Sequence, residues 1–405
     1  MNRGFFTILT AQFFSALADN ALLFAAIALL MSLSAPDWHV PLLQQFFIVS
    51  YILLAPFVGA FADSNPKGRV MFISNAIKVI GCIAMLAGMQ PLYAYAIVGL
   101  GAAAYSPAKY GILTEYLPPS QLVKANSWME GATVLAIILG AIVGGLLINP
   151  KLVGAALIDW GLAEWISVPK FAIVIILGLY LVAAWFNLYI PRLPPDHRTP
   201  KRNPVFLLHD FWHSFKLLWK DPLGQVSLAV TTLFWGVGAT LRLVVLAWAA
   251  FNLNFDLTQA TQLTATSAVG VAVGAAMAGK WIRLESSVKV LPAGILLGLT
   301  VIAMIFVTDW RIAAVLLFFI GVLSGFFVVP LNALLQHRGH LLMGAGHSIA
   351  IQNFNENLGI LVLLGAYTLM VGHGVHIHWV LGLFGLFISL AMTVIWRRHR
   401  HDQVQ

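Results

Sequence analysis

The chain has 405 residues, of which 60% are hydrophobic and only 9% charged, and a formal net charge of +8. That balance excludes a water-soluble fold and a disordered chain, and Cys82, the only cysteine, excludes a disulfide scaffold. What remains is an all-α polytopic membrane protein, in which the positive surplus reads as topology before it reads as affinity for anionic partners.

A span needs about 20 predominantly apolar residues to cross a hydrocarbon layer of about 30 Å. Polar, Pro and Gly punctuation divides the chain into twelve such stretches, at 5–33, 40–62, 69–88, 92–116, 126–149, 170–190, 223–251, 258–281, 289–308, 312–336, 344–372 and 377–397. The first is too long for the core of a cleavable signal and contains Asp19 and Asn20. Gln12, Ser15 and Asp19 share one face of it and read as the wall of a polar cavity. Lys78 in span three has a bland reading as a snorkelling side chain. Lys109 lies in the inner half of span four. Glu115 at the end of that span and Glu130 at the start of span five read as interfacial, either solvated or paired with Lys124. The connection 150–169 carries Trp160 and Trp165 and reads as a further interfacial segment.

Residues 191–222 form the longest connection, open with Pro191-Arg192-Leu193-Pro194-Pro195-Asp196, and split the spans six and six. The expected organisation is therefore a six-helix bundle over 1–190, a linker over 191–222 and a second bundle over 223–405. From Val205 to Lys220 the linker sets Leu208, Phe211, Trp212, Phe215, Leu218 and Trp219 on one helical face and His209, Asp210, His213, Lys216 and Lys220 on the other, the pattern of an interfacial helix. Span seven contains Arg242. Span ten repeats a feature of span four, a proline followed two residues later by a polar side chain: Pro107 with Lys109, Pro330 with Asn332. Parallel repeats of this kind build six-plus-six transporters, and both prolines predict kinks. Span eleven carries Gln352, Asn353, Glu356 and Asn357 at helical spacing.

Of the 23 Lys and Arg residues, 17 fall on the side that holds both termini, three (Lys151, Lys170 and Arg311) on the opposite side and three within spans. The positive-inside rule makes both termini cytoplasmic. A charge at mid-bilayer costs about 2.5–3.5 kcal/mol on insertion scales, so Asp19, Lys109, Arg242 and Glu356 are the functional candidates. Buried pairs kept only for scaffolding are a poor route to stability. The alternative puts all four around a central cavity, with the bases on an anionic group and the acids on a cation or on the bases themselves.

Enzyme signals are weak. Gly274 to Trp281 resembles a phosphate loop but ends on Trp281 where Ser or Thr would hold magnesium. His373, His376 and His378 cluster on an outward loop, which reads as solvated. No cofactor, resident metal or nucleic-acid partner is expected.

Gly59-Ala60-Phe61-Ala62-Asp63-Ser64-Asn65-Pro66-Lys67-Gly68-Arg69 resembles the loop signature of the major facilitator superfamily, with Ser64 at a basic position and two extra residues before Gly68. The stretches Ala11 to Phe24, Ala104 to Leu113, Leu233 to Gly236 with Thr240 to Arg242, and Gly325 to Gln336 closely resemble the bacterial lysophospholipid transporter family. The resemblance implies the superfamily fold and transport of lysophosphatidylethanolamine and lysophosphatidylglycerol across the inner membrane by alternating access. It also implies an acyl-ACP synthetase/acyltransferase as functional partner. By the same resemblance Lys109 and Arg242 hold the lipid phosphate. Asp19 and Glu356 pair with those bases, receive an ammonium, or bind a coupling Na+ or H+. Asn20, Gln352, Asn353 and Asn332 complete the expected binding set, and Asp63 with Arg69 the gate. The rival readings are a cation-coupled exporter of amphiphilic drugs and a membrane scaffold for an acyltransferase.

Overall fold

The structure, a computed structural model, describes residues 2–35, 39–194, 203–255 and 257–402. Pro195, Asp196, Arg198, Lys201 and Arg202 of the predicted linker lie outside the described residues. Everything regular in the described residues is helical: α1 Arg3–Ser32, α2 His39–Asp63, α3 Lys67–Leu86, α4 Pro91–Tyr116, α5 Leu122–Leu147, α6 Ala155–Asp159, α7 Val168–Leu188, α8 Pro204–Lys220, α9 Pro222–Leu253, α10 Leu257–Trp281, α11 Leu291–Ala303, α12 Trp310–Leu342, α13 Ala345–Gly372 and α14 Ile377–Asp402. Without α6 and α8, these are the twelve predicted spans. α11 reaches spanning length because short 3-10 turns extend it to Leu284–Phe306.

By length and hydropathy alone, eleven segments among the described residues qualify as membrane-crossing, and α4 is not one of them. Its 26 residues suffice for crossing, but Gly, Tyr, Ser and Pro107 dilute its hydropathy. Those small and polar residues are mostly buried against neighbouring helices, so α4 satisfies its polar groups in protein contacts and not in lipid. Both α4 and α12 continue through their prolines, as does α2 through Pro56.

Helix starts follow from local chemistry. The Asn2 side chain accepts from the Phe5 amide, and Asp221, just before Pro222, accepts from Gly224 at 2.8 Å. At its other end α9 stops on Asn254 in the left-handed region, φ 52°.

The chain packs as two compact units. The first comprises Met1–Tyr116, Leu135–Phe211 and Gly344–Ala350; the second comprises Leu117–Val134, Trp212–Met343 and Ile351–Gln405. The opening part of α5 thus belongs with the second unit and the opening turns of α13 with the first. In the first unit α1 packs on α7, and α3 on both α4 and α7. Leu22, Ala25, Cys82, Met85, Val98, Ile173 and Tyr180 belong to an apolar cluster in its core. In the second unit α10 and α12 make the most extensive helix pair. Gly270 and Gly274 face the α12 backbone, and Gly321 and Gly325 face that of α10, so closely that a methyl group at any of them would collide. Close backbone approach over small residues is how helices associate in lipid, and it gives Gly274 a packing role in place of a phosphate loop.

The interfacial helix α8 turns part of its apolar face to the protein and keeps His209, His213, Lys216 and Lys220 exposed. Phe211, Ser214 and Leu218 are its buried residues, whereas Leu208 and Trp212 are exposed. Asp210, assigned by sequence to the outer polar face, lies on the packed side. Trp160 and Trp165 are exposed beyond α6, in keeping with an interfacial segment.

Candidate functional site

Asp19 lies in the middle of α1 with a side chain 23% exposed, and both its oxygens are engaged. Oδ2 meets Lys78 Nζ at 2.8 Å, and Oδ1 accepts from the Tyr180 hydroxyl at 2.7 Å. Lys78 is buried. It also donates to Ser15 Oγ at 3.0 Å, which in turn donates to Asn75 Oδ1 at 2.8 Å. Its ammonium sits 4.9 Å from the Tyr105 ring centroid and 5.5 Å from that of Tyr180.

Two expectations change here. Lys78 does not snorkel: the ion pair and two aromatic faces hold it inside the bundle. Gln12 and Ser15 do not wall an open cavity either; both are buried, and Ser15 faces α3. The cation on Asp19 is neither Lys109 nor Arg242 but Lys78, which obeys the same rule for intramembrane charges that selected the other four. Asn20 turns its amide back on the Ala16 carbonyl at 2.8 Å, and α5 crosses there at Gly140, whose missing side chain leaves room for Asn20. Lys109, half-buried, lies 4.3 Å from the Tyr110 ring centroid.

A second ionic cluster closes the end of the first unit where α1 begins. Asp63 is 1% exposed and accepts four hydrogen bonds: from Lys67 Nζ at 2.9 Å, the Gly346 amide at 2.6 Å, the His347 amide at 2.9 Å and His347 Nδ1 at 2.7 Å. A carboxylate offers about four lone-pair sites, so this one is saturated. Two of its donors are first-turn amides of α13, and Asp63 thereby caps a helix 283 residues away in sequence. Lys67 also donates to the Ala62 carbonyl and pairs with Glu115 at 2.9 Å, which corrects the interfacial reading of Glu115. His347 Nε2 lies 3.1 Å from Asp210 of α8. Carboxylates accept only and a neutral imidazole carries one N–H, so a ring between Asp63 and Asp210 is the doubly protonated form.

The signature loop lacked a basic residue after Asp63; Lys67, one turn further on, supplies it. Arg69 stays outside the network, exposed and without a hydrogen bond or ion pair among the described residues. No sequence signal pairs Asp63 with His347. The one available hint was that His347 opens an apolar span as a polar residue among Gly and Ser.

In the second unit Gln352 Nε2 donates to Asn332 Oδ1 and to Glu356 Oε1, both at 2.7 Å, which joins three expected residues from α12 and α13. Asn353 is buried beside them. Asn126 and Gln336 exchange two amide hydrogen bonds of 2.8 Å. Arg242 is exposed on α9 and makes no hydrogen bond or ion pair among the described residues. At the start of α9, Asp221 accepts a two-pronged contact from Arg338, with Nε at 3.1 Å. Burial pushes the Asp221 carboxyl up, but the Arg338 fork, the Gly224 amide and the guanidinium charge outweigh it and hold the group below the usual carboxylate value. No cluster of three metal-ligating side chains occurs among the described residues, and His378 bonds to Asn252 at 2.7 Å.

Apolar helices of spanning length with ion pairs buried in their midst define a multi-pass membrane protein. The model of the Major Facilitator Superfamily matches residues 8–363. Lysophospholipid transporter LplT of Serratia proteamaculans is 43% identical over 401 residues, covering 99% of this chain and 96% of the relative. The protein of the same name from Yersinia pestis strain Pestoides F is 44% identical, covering 92% of this chain and 88% of its own. Among solved structures, the superfamily transporter FucP in the outward conformation superposes with a TM-score of 0.77 at 12% identity, covering 98% of both chains. A bacterial homologue of the iron transporter ferroportin in an outward-facing state gives 0.73 at 15% identity, covering 98% of this chain and 100% of that one. The chain belongs to the major facilitator superfamily and, within it, to the lysophospholipid transporter family.

Proposed function

We propose that this protein carries lysophospholipids across the bacterial inner membrane to the cytoplasmic leaflet by alternating access, with both termini cytoplasmic. The observation that carries the reading is the 43% identity, along nearly the whole chain, to a relative named a lysophospholipid transporter. The intramembrane charges suit such a cargo, whose phosphate needs a base and whose ethanolamine, where present, needs an acid. Lys109 and Arg242 are the bases suited to phosphate, Arg242 as a planar fork and Lys109 as a point charge. Glu356, held by Gln352, and Asp19, held by Tyr180, take cations.

Lys78 has a specific part in this scheme. Its ammonium rests on Asp19 as a substrate ammonium or a coupling Na+ would, so the empty carrier holds its own counter-ion and releases it when cargo arrives. The Asp63, Lys67 and His347 cluster acts as the cytoplasmic gate. An acyl-ACP synthetase/acyltransferase re-acylates the delivered lipid.

Uptake of labelled lysophosphatidylethanolamine by spheroplasts tests the reading. Cells carrying the protein should take up several times more label than empty-vector cells, and equal uptake would remove the lipid assignment.

A further inference from the structure

Near the end of the first unit where α3 begins lies a cleft of about 390 Å³ that the transport scheme does not use. Arg69, Arg192, Asn187, Phe72, Leu188 and Ile190 line it, and no lining residue is acidic. The two guanidinium groups are exposed and make no hydrogen bond or ion pair among the described residues. Pro66, which precedes α3, gives that helix no side-chain cap, so its positive end opens on the cleft beside Gly68. Gly68 lets the helix come this close to α7: a methyl group there would stand 3.0 Å from Ile190 Cβ and 3.3 Å from the Asn187 carbonyl.

Beside the cleft the last turn of α7 exposes Trp185, Leu188 and Tyr189, with the Trp185 and Tyr189 rings 5.3 Å apart. Exposed Trp and Tyr at a helix end mark the level of lipid headgroups.

We propose that this cleft holds the phosphate of an anionic bilayer phospholipid, apart from the transported cargo. Arg69 and Arg192 grip the phosphate, the start of α3 borders it at Pro66 and Gly68, and the acyl chains run past Phe72 and Leu188 into the bilayer.

The test is thermal unfolding of the full-length protein in neutral detergent, titrated with dioctanoyl phosphatidylglycerol or with glycerol phosphate alone. The lipid should raise Tm, and the free phosphate should need at least tenfold higher concentration for the same rise. Arg69→Gln/Arg192→Gln should shift the lipid titration to roughly tenfold higher concentration or beyond, the loss expected for charge-assisted contacts. Exposed Arg192→Lys, which endangers folding least, should fall between. Arg242→Gln should titrate like the parent.

A double variant that titrates like the parent would overturn the proposal. So would an Arg242→Gln variant that alone loses the response, since the lipid would then be reporting on the transport site. Equal protection by glycerol phosphate would overturn the lipid assignment in favour of a soluble phosphate.

Discussion

Asp19 and Asp63 both lie on helices of the first unit, each bound to a lysine and to an aromatic ring, yet their surroundings differ. Asp19 keeps a side chain 23% exposed, a single lysine and a phenol, whereas Asp63 is closed off, takes four hydrogen bonds and shares its lysine with Glu115. A carboxylate with an opening and one displaceable cation can trade that cation for another. One locked by backbone amides of a distant helix can only be made or broken as a unit. Under the proposed function, the contrast gives ligand exchange to the first cluster and a two-state closure to the second.

The most damaging way to break this contrast is Lys67→Met. It leaves Asp63 and Glu115 buried with one cation fewer, and removing one member of a buried ionic set costs about 3–5 kcal/mol. A large fall in Tm of the purified protein is expected, with partial recovery in Lys67→Arg. Lys78→Met should be milder, because water reaches Asp19 when its lysine is gone. Its signature is functional: a lower KM for lysophosphatidylethanolamine relative to lysophosphatidylglycerol, with net uptake slowed more than exchange between loaded compartments. Lys78→Met/Asp19→Asn should recover stability against either single change, with a coupling of about 0.5–3 kcal/mol in a double-mutant cycle. If Lys67→Met and Lys78→Met lower Tm equally, the two clusters are not different in kind.

Tyr180→Phe removes one hydrogen bond to Asp19 and should cost about 0.5–1.5 kcal/mol, read from thermal unfolding. The smallest effect belongs to Asp221, outside both clusters. Its carboxyl is held below the ordinary 3.8, so its stabilising contact with Arg338 is complete above that value and is lost as pH falls through the lower, folded-state value. Asp221→Asn should therefore lower Tm slightly at neutral pH and flatten the acid limb of the Tm profile.

Much of the architecture is legible because hydropathy reports apolar spans directly: the sequence pattern predicts twelve, and α4, too polar to qualify by hydropathy, buries its small and polar residues against neighbouring helices. Asn332, Gln352 and Glu356 were legible as a set because two of them share a helix face and the third lies on a proline-marked repeat. Span position alone misleads for Lys78, because what holds its charge inside the bundle is Asp19 on another helix. The partnership of Asp63 with His347 and Asp210 spans three distant segments, and no spacing rule in a single sequence encodes such a contact.

The central claim, that this chain moves lysophospholipids through its intramembrane charges, is tested most directly by the initial rate of labelled lysophosphatidylethanolamine transfer into proteoliposomes holding the parent protein or Arg242→Gln. Arg242 is exposed and makes no hydrogen bond or ion pair among the described residues, so the variant should reconstitute normally and lose most of the flux. Transfer by the parent no faster than in protein-free liposomes, or an unchanged rate in the variant, would contradict the account.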